Sequence, residues 1–164
     1  MKAPRRLDPD RVVEHLPKLY RVARAWCRSR EEAEDLVQET YARVLSRPRF
    51  LRADDELGYL LRALRNTLLS QRRAESRRPQ TAQLVEELAA GSPAGDPAEA
   101  VVRREVYAAI QELPEEFRDA IVAVDVAGLS YGEAARLLGV PEGTVTSRLF
   151  RARDRVAGRL EEEP

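Results

Sequence analysis

The chain has 164 residues, 43% of them hydrophobic and 34% charged, with zero formal net charge at pH 7; that is enough for one medium domain or two small ones. One cysteine (Cys27) and one histidine (His15) exclude an internal disulfide and leave zinc sites of the Cys/His kind without ligands. No run approaches the ~20 apolar residues of a membrane span, and the opening "MKAPRRLDPD" lacks the apolar core of a secretory signal, so a cytoplasmic protein without membrane insertion, metal or cofactor is expected.

All but two of the 28 basic residues are arginine. A GC-rich genome accounts for that as well as a need for guanidinium forks on phosphate or guanine does. "DPDRVVEHLPKLYRVARAWC" opens with a capping aspartate and a proline suited to a first helical turn. Val12, Val13, Leu16, Leu19, Tyr20, Ala23 and Trp26 follow helical periodicity, and Pro17 bends or restarts the helix. Cys27 reads as a small buried hydrophobe rather than a redox sensor, and His15 as a helix-surface residue. In "SREEAEDLVQETYARVLS", Ser29 and Glu32 have capping-box spacing, and Ala33, Leu36, Val37, Thr40, Val44 and Leu45 recur at helical steps. "RPRFLRADDE" breaks the pattern, with Phe50 either a stacking platform or a loop anchor and "ADDE" a solvated acidic loop rather than a magnesium site. "LGYLLRALRNTLLSQRRAE" resumes it. Leu57, Leu60, Leu61, Leu64 and Leu68 mark one side; Arg62, Arg65, Arg72 and Arg73 mark the other side and the C-terminal end. No β-alternation appears.

From about Ser76 the text becomes "SRRPQTAQLVEELAAGSPAGDP", which reads as a flexible tether with a possible short helix in "AQLVEELAA". The expected organisation is all-α: two small helical domains, 1–78 and 98–164, joined by a linker over 79–97. The second half restarts with "AEAVVRREVYAAIQEL", whose apolar face is Val102, Val106, Ala109, Ile110 and Leu113. "PEEFRDAIVAVDVAG" carries proline and acids at its start and Gly128 after its end, which is helix punctuation at both termini.

"LSYGEAARLLGVPEGTVTSRLFRAR" repeats the capping-box spacing at Ser130 and Glu133, so a helix is expected from Tyr131 to about Leu138. Gly139 supplies the positive φ for a sharp turn into a second helix. Two helices so joined have the form of a helix-turn-helix, with Ala134 and Ala135 at the crossing. At 100° per residue, Val145, Leu149, Ala152 and Val156 form one buried stripe. Ser147, Phe150 and Arg151 point away from it, with Thr144, Arg148 and Arg155 on one flank and Thr146 and Arg153 on the other. A generic helical hairpin does not need an outward phenylalanine among arginines. A face entering a major groove does, where a ring meets a thymine methyl and arginine forks onto guanine.

These segments resemble bacterial sigma factors of the extracytoplasmic-function (ECF) type. "LSYGEAARLLGVPEGTVTSRLFRARDRV" is similar to their region 4 helix-turn-helix, and "LPEEFRDAIVAVDVAGLS" to the helix that begins that region. "EEAEDLVQETYARVL" and "LGYLLRALRNTLLSQRR" resemble region 2 and the segment after it. The resemblance covers nearly the whole chain in the right order. It implies a subunit that binds RNA polymerase core, at the β′ clamp helices and the β flap, and directs it to promoter DNA. Asp35, Leu36, Val37, Gln38 and Glu39 would dock on the clamp helices. Tyr59, Arg62, Arg65, Asn66, Arg72 and Arg73 would read and open the −10 element, with pockets compensating extruded bases for lost stacking. Thr144, Thr146, Ser147, Arg148, Phe150, Arg151 and Arg155 would read the −35 element. Thr146 stands where relatives commonly have arginine, and Tyr59, next to Gly58, where they have tryptophan; both bear on the promoter sequence rather than the role. The neutral balance then divides into acidic surface for polymerase and basic surface for DNA. An anti-sigma factor is a further possible partner. The alternative is a self-sufficient helix-turn-helix repressor, yet such proteins usually dimerise and no dimer helix is evident. No phosphate-cradling loop, metal cluster or activated nucleophile suggests an enzyme.

Overall fold

The computed structural model describes residues 5–47, 50–51, 55–77 and 96–162. The expected short helix in 82–90, nearly all of the 79–97 tether, residues 53 and 54 of the acidic loop and the Phe50 side chain lie outside the described part.

The first half holds four helices. In α1 (Pro9–Glu14) the Asp8 carboxylate accepts from Asp10 N–H at 3.0 Å. After His15 the chain restarts as α2 (Leu16–Trp26) with Pro17 in the first turn. That restart changes the register: Val12 and Leu19 are fully buried, whereas Val13 and Leu16, expected on the same face, are exposed. α3 (Arg30–Ser46) is capped by Ser29 Oγ, which accepts from Glu32 N–H at 3.1 Å. The Glu32 carboxylate accepts from Arg28 N–H at 2.9 Å rather than from Ser29, so the expected box is offset by one residue. α4 (Glu56–Ser76) lays Leu60, Leu61, Leu64 and Leu68 into the core with Leu36, Val44 and Trp26. Within this all-α fold one short ladder occurs that the sequence does not announce: Arg5–Arg6 (β1) pairs antiparallel with Phe50–Leu51 (β2), Arg5 opposite Leu51 and Arg6 opposite Phe50. Two residues are too few for an alternating pattern to register.

In the second half, α5 (Pro97–Gln111) is capped by Asp96. Its apolar face is shorter than expected: Ala109 and Ile110, then Leu113 beyond its end, are buried, while Val102 is exposed along with Val101. α6 (Glu115–Ile121) runs into a π-turn, Val122–Val126, where Ala127 N–H reaches back five residues to Val122 O at 2.8 Å. Gly128 ends it at φ 74°. α7 (Tyr131–Leu138) has both halves of its capping box, and Gly139 at φ 68° turns the chain towards α8 (Glu142–Glu161). Ala123, Ala134 and Val145 form a small cluster where α7 and α8 cross.

The halves pack on each other. α2 lies against α5 and the π-turn, α4 touches α7, and one continuous core runs from Trp26 and Cys27 to Ile110 and Val122. Gln111 Nε2 donates to Arg24 O at 3.2 Å, Arg65 Nη2 to Asp119 Oδ2 at 3.1 Å, and Arg72 to Glu115 Oε1 at 3.1 Å and Trp26 O at 3.3 Å. Among the described residues no helix is long and apolar enough to cross a membrane.

Candidate nucleic-acid interface

α8 divides as its sequence period requires. Val145, Leu149, Ala152 and Val156 are buried against α5, α6 and α7. Phe150, 73% exposed, faces away with Thr146, Ser147 and Arg151. Thr146 Oγ1 donates back to Glu142 O at 3.1 Å and Ser147 Oγ to Thr144 O at 3.1 Å, while half-buried Thr144 sits beside the stripe. The arginines differ in what holds them. Arg151 has no carboxylate or other hydrogen-bond partner among the described residues. Arg148 reaches Glu116 at 3.3 Å, and the Arg155 guanidinium stands 4.8 Å over the Phe117 ring. Arg153 forks onto Asp125 at 2.9 and 2.7 Å, and that bonding raises its pKa further. Arg148 and Arg155, both expected on DNA, therefore brace α8 against α6, and the part of the face that bonds no other element among the described residues is Thr146, Ser147, Phe150 and Arg151.

The residues expected at the second DNA surface separate into two sets. Tyr59 and Asn66, at one side of α4, line an open pocket of about 410 Å³ with Arg43, Ser46, Arg47 and Thr67. Arg62 bonds Asp55 at 2.7 Å across the first turn; Gly58 makes room for this, since a Cβ there would stand 2.3 Å from Asp55 Oδ1. Arg73 is exposed. Arg65 and Arg72 instead turn to the other half, as described. Asp119 is buried, and that burial raises its pKa against the opposing pull of Arg65; Arg65 Nε itself is buried without a partner.

On α3, Asp35 and Gln38 are exposed, and half-buried Glu39 bonds Arg43 and, at 2.6 Å, Gln71. Leu36 and Val37, expected on the docking face, are buried among α2 and α4 side chains. They share the inward stripe with Thr40 and Val44, which leaves Asp35 and Gln38 as the exposed members of the expected set. Burial pushes the Cys27 thiol up to about 12, away from the thiolate that redox chemistry needs.

Sequence reasoning missed Glu115 and Asp119, the acids that meet Arg72 and Arg65, and the pocket walls Arg43, Ser46 and Arg47. "PEEFRDA" shows the acids, but their partners lie about fifty positions away and no local pattern encodes that pairing.

Comparison with known proteins matches residues 11–78 to the Sigma-70 region 2 family and residues 103–156 to Sigma-70, region 4. The ECF RNA polymerase sigma factor SigE of Mycolicibacterium smegmatis is 34% identical over 151 residues, 88% of this chain and 58% of that protein, so the chain spans well under two thirds of that relative. SigM of Mycobacterium tuberculosis is 35% identical over 144 residues, 87% of this chain and 71% of that protein. Among solved structures, the sigma factor RpoE of Bartonella quintana, crystallised with the anti-sigma factor NepR, superposes with a TM-score of 0.74 at 26% identity, covering 94% of this chain and 97% of that one.

Proposed function

The chain belongs to the ECF group of RNA polymerase sigma factors in the sigma-70 family, and on that premise we propose that it binds polymerase core and carries it to promoters, reading the −10 element with residues 1–78 and the −35 element with residues 98–164, with 79–97 as the tether. The chain itself then performs no catalysis; bond formation belongs to the polymerase, in the cytoplasm. The observation that carries this reading is the outward face of α8, where Phe150 and an unengaged Arg151 stand on a helix held by its other side. Such a face meets base edges in a major groove, and one good arginine fork discriminates by about 1–3 kcal/mol.

The pocket beside Tyr59 and Asn66 supports the −10 assignment. An aromatic ring, an amide and two arginines around an open hollow suit a base taken out of the stack and the phosphates beside it. Exposed Asp35 and Gln38, with Glu39 beside them, form the polar face assigned to the β′ clamp helices; the second half is assigned to the β flap. An anti-sigma factor, the partner of the Bartonella neighbour, is a candidate third partner here.

Arg65 and Arg72 favour a holoenzyme subunit over a self-sufficient repressor. While the halves are packed together, these two proposed DNA contacts are occupied by Asp119 and Glu115. Core polymerase has to separate the halves before the −10 surface is whole. An electrophoretic mobility shift with a promoter fragment tests this: a specific complex is expected only when core is present. A tight, specific complex formed by the chain alone would favour the repressor.

A further inference from the structure

The start of α4 is built in a way that its own stability does not ask for. Asp55 stands at the N-cap, where an aspartate carboxylate ordinarily accepts a backbone N–H of the first turn and stabilises the helix, yet it makes no such bond. The carboxylate accepts instead from Arg62 Nη2 at 2.7 Å, seven positions along the chain. Gly58, in the first turn, weakens a helix relative to alanine, and it is what admits this geometry: a Cβ there would collide with Asp55 Oδ1 and come within 3.5 Å of Arg62 Nη1. The ion pair does not make up the loss. The Asp55 and Arg62 side chains are 56% and 42% exposed, and pairs so exposed contribute little or nothing to stability. What the arrangement does secure is the position of one guanidinium, laid over the first turn of α4.

That guanidinium differs from its neighbours on the same helix. Arg65 and Arg72 pair with Asp119 and Glu115 of the second half and lose these acids if the halves separate. Asp55 belongs to the start of α4 itself and stays with Arg62 in either state. Arg62 is three positions after Tyr59 and four before Asn66, so the three share one face of the helix. Ala63 and Thr67 continue the pocket wall on one side of the line from Tyr59 to Asn66, and Arg62 lies on the other. A carboxylate fixed beside an arginine decides what else that arginine can bind. A phosphate arriving there meets a second negative charge at close range. A base edge brings neutral acceptors, and a fork already held in place meets them with little further loss of rotamer freedom.

We infer that Asp55 is a specificity-determining residue: it commits Arg62 to a −10 base that presents two adjacent acceptors, as guanine does, and withholds it from the phosphate backbone. The inference rests on the −10 assignment of α4. Arg62 makes the contact; Asp55 and Gly58 position it.

The test measures binding of holoenzyme, assembled from core polymerase and the full chain, to a promoter fragment carrying in turn every single-base substitution of the −10 element, across a range of salt concentrations. In the wild type one position is expected to lose about tenfold in affinity when its guanine is replaced. Asp55→Asn and Gly58→Ala should each reduce that preference to under about threefold and leave the other positions as they were. Both should also steepen the fall of log affinity with log salt by about one counterion, since the freed arginine then takes a phosphate. Arg62→Ala should remove the same preference without steepening the salt dependence. Gly58→Ala separates positioning from folding, because alanine should raise the thermal midpoint of the free chain while the preference falls. A wild type without a guanine-dependent position, or a preference unchanged in Asp55→Asn, overturns the inference while leaving the −10 assignment in place. So does a preference lost in both variants with the salt dependence unchanged, which would make Asp55 a structural residue only. If no −10 substitution changes wild-type affinity, the −10 assignment itself fails and the inference with it.

Discussion

Arg151 and Arg153 stand two positions apart on α8 with different attachments. Arg153 is forked onto Asp125, whereas Arg151 has no partner among the described residues. Arg151→Ala should therefore cost about 1–3 kcal/mol of holoenzyme affinity at cognate promoters, and Arg153→Ala should leave discrimination among −35 variants as it was. Competition binding across a set of −35 substitutions measures both, and equal loss in the two variants would contradict the assignment. Asp119 has a consequence for pH. Burial raises its pKa above the ordinary 3.8, with Arg65 opposing. A raised carboxylate pKa means the packed form binds the proton more tightly than the unfolded form, so the group's contribution is full below about 3.8 and is lost as pH rises through the folded value. A carboxyl NMR titration should give a midpoint above 3.8, moving higher still in Arg65→Ala; a midpoint at 3.8 that Arg65→Ala leaves unmoved would show that the carboxylate is solvated and the two halves are apart.

At the level of elements, local chemistry wrote the helix-turn-helix almost to the residue. Ser130 and Glu133 satisfy each other's backbone groups, Gly139 is the position with the left-handed turn, and the stripe of α8 follows from 100° per residue. Ser130→Ala should lower stability by about 1 kcal/mol, read as a shift of the urea midpoint without loss of helix content; an unmoved midpoint would mean the cap frays in solution. α3 was equally legible as a helix, yet the direction of Leu36 and Val37 was not, because the docking resemblance named a run of consecutive residues while a helix can expose only part of any run. Asp35→Lys reverses charge on the exposed side and should weaken capture by core polymerase with the fold intact; undiminished capture would remove Asp35 from the docking face. The π-turn at 122–126 and the break between α1 and α2 were not readable as such. "VAVDV" has no punctuation to mark one extra residue per turn, and Pro17 is compatible with either a bend or a restart.

Across the whole molecule, the helical make-up of both halves was legible, but their packing into one continuous core was not, since it depends on contacts and pairs such as Arg65–Asp119 and Arg72–Glu115 that join distant sequence. These pairs do not hold the halves strongly. An exposed pair like Arg72–Glu115 contributes about 0–1 kcal/mol, and for nearly buried Arg65–Asp119 the loss of solvation offsets much of the attraction. Apolar contact of α2 with α5 and the π-turn supplies the rest. Under the proposed function, an arrangement of that kind is stable when the chain is alone and yields to a partner that engages both halves at once, which would release Arg65 and Arg72 for the promoter. Multi-round run-off transcription, with purified core polymerase and a pool of genomic promoter fragments, puts this most directly to the test. Adding the chain should produce transcripts from a defined subset of fragments sharing −10 and −35 sequences. Core that starts no more selectively with the chain than without it would contradict the assignment.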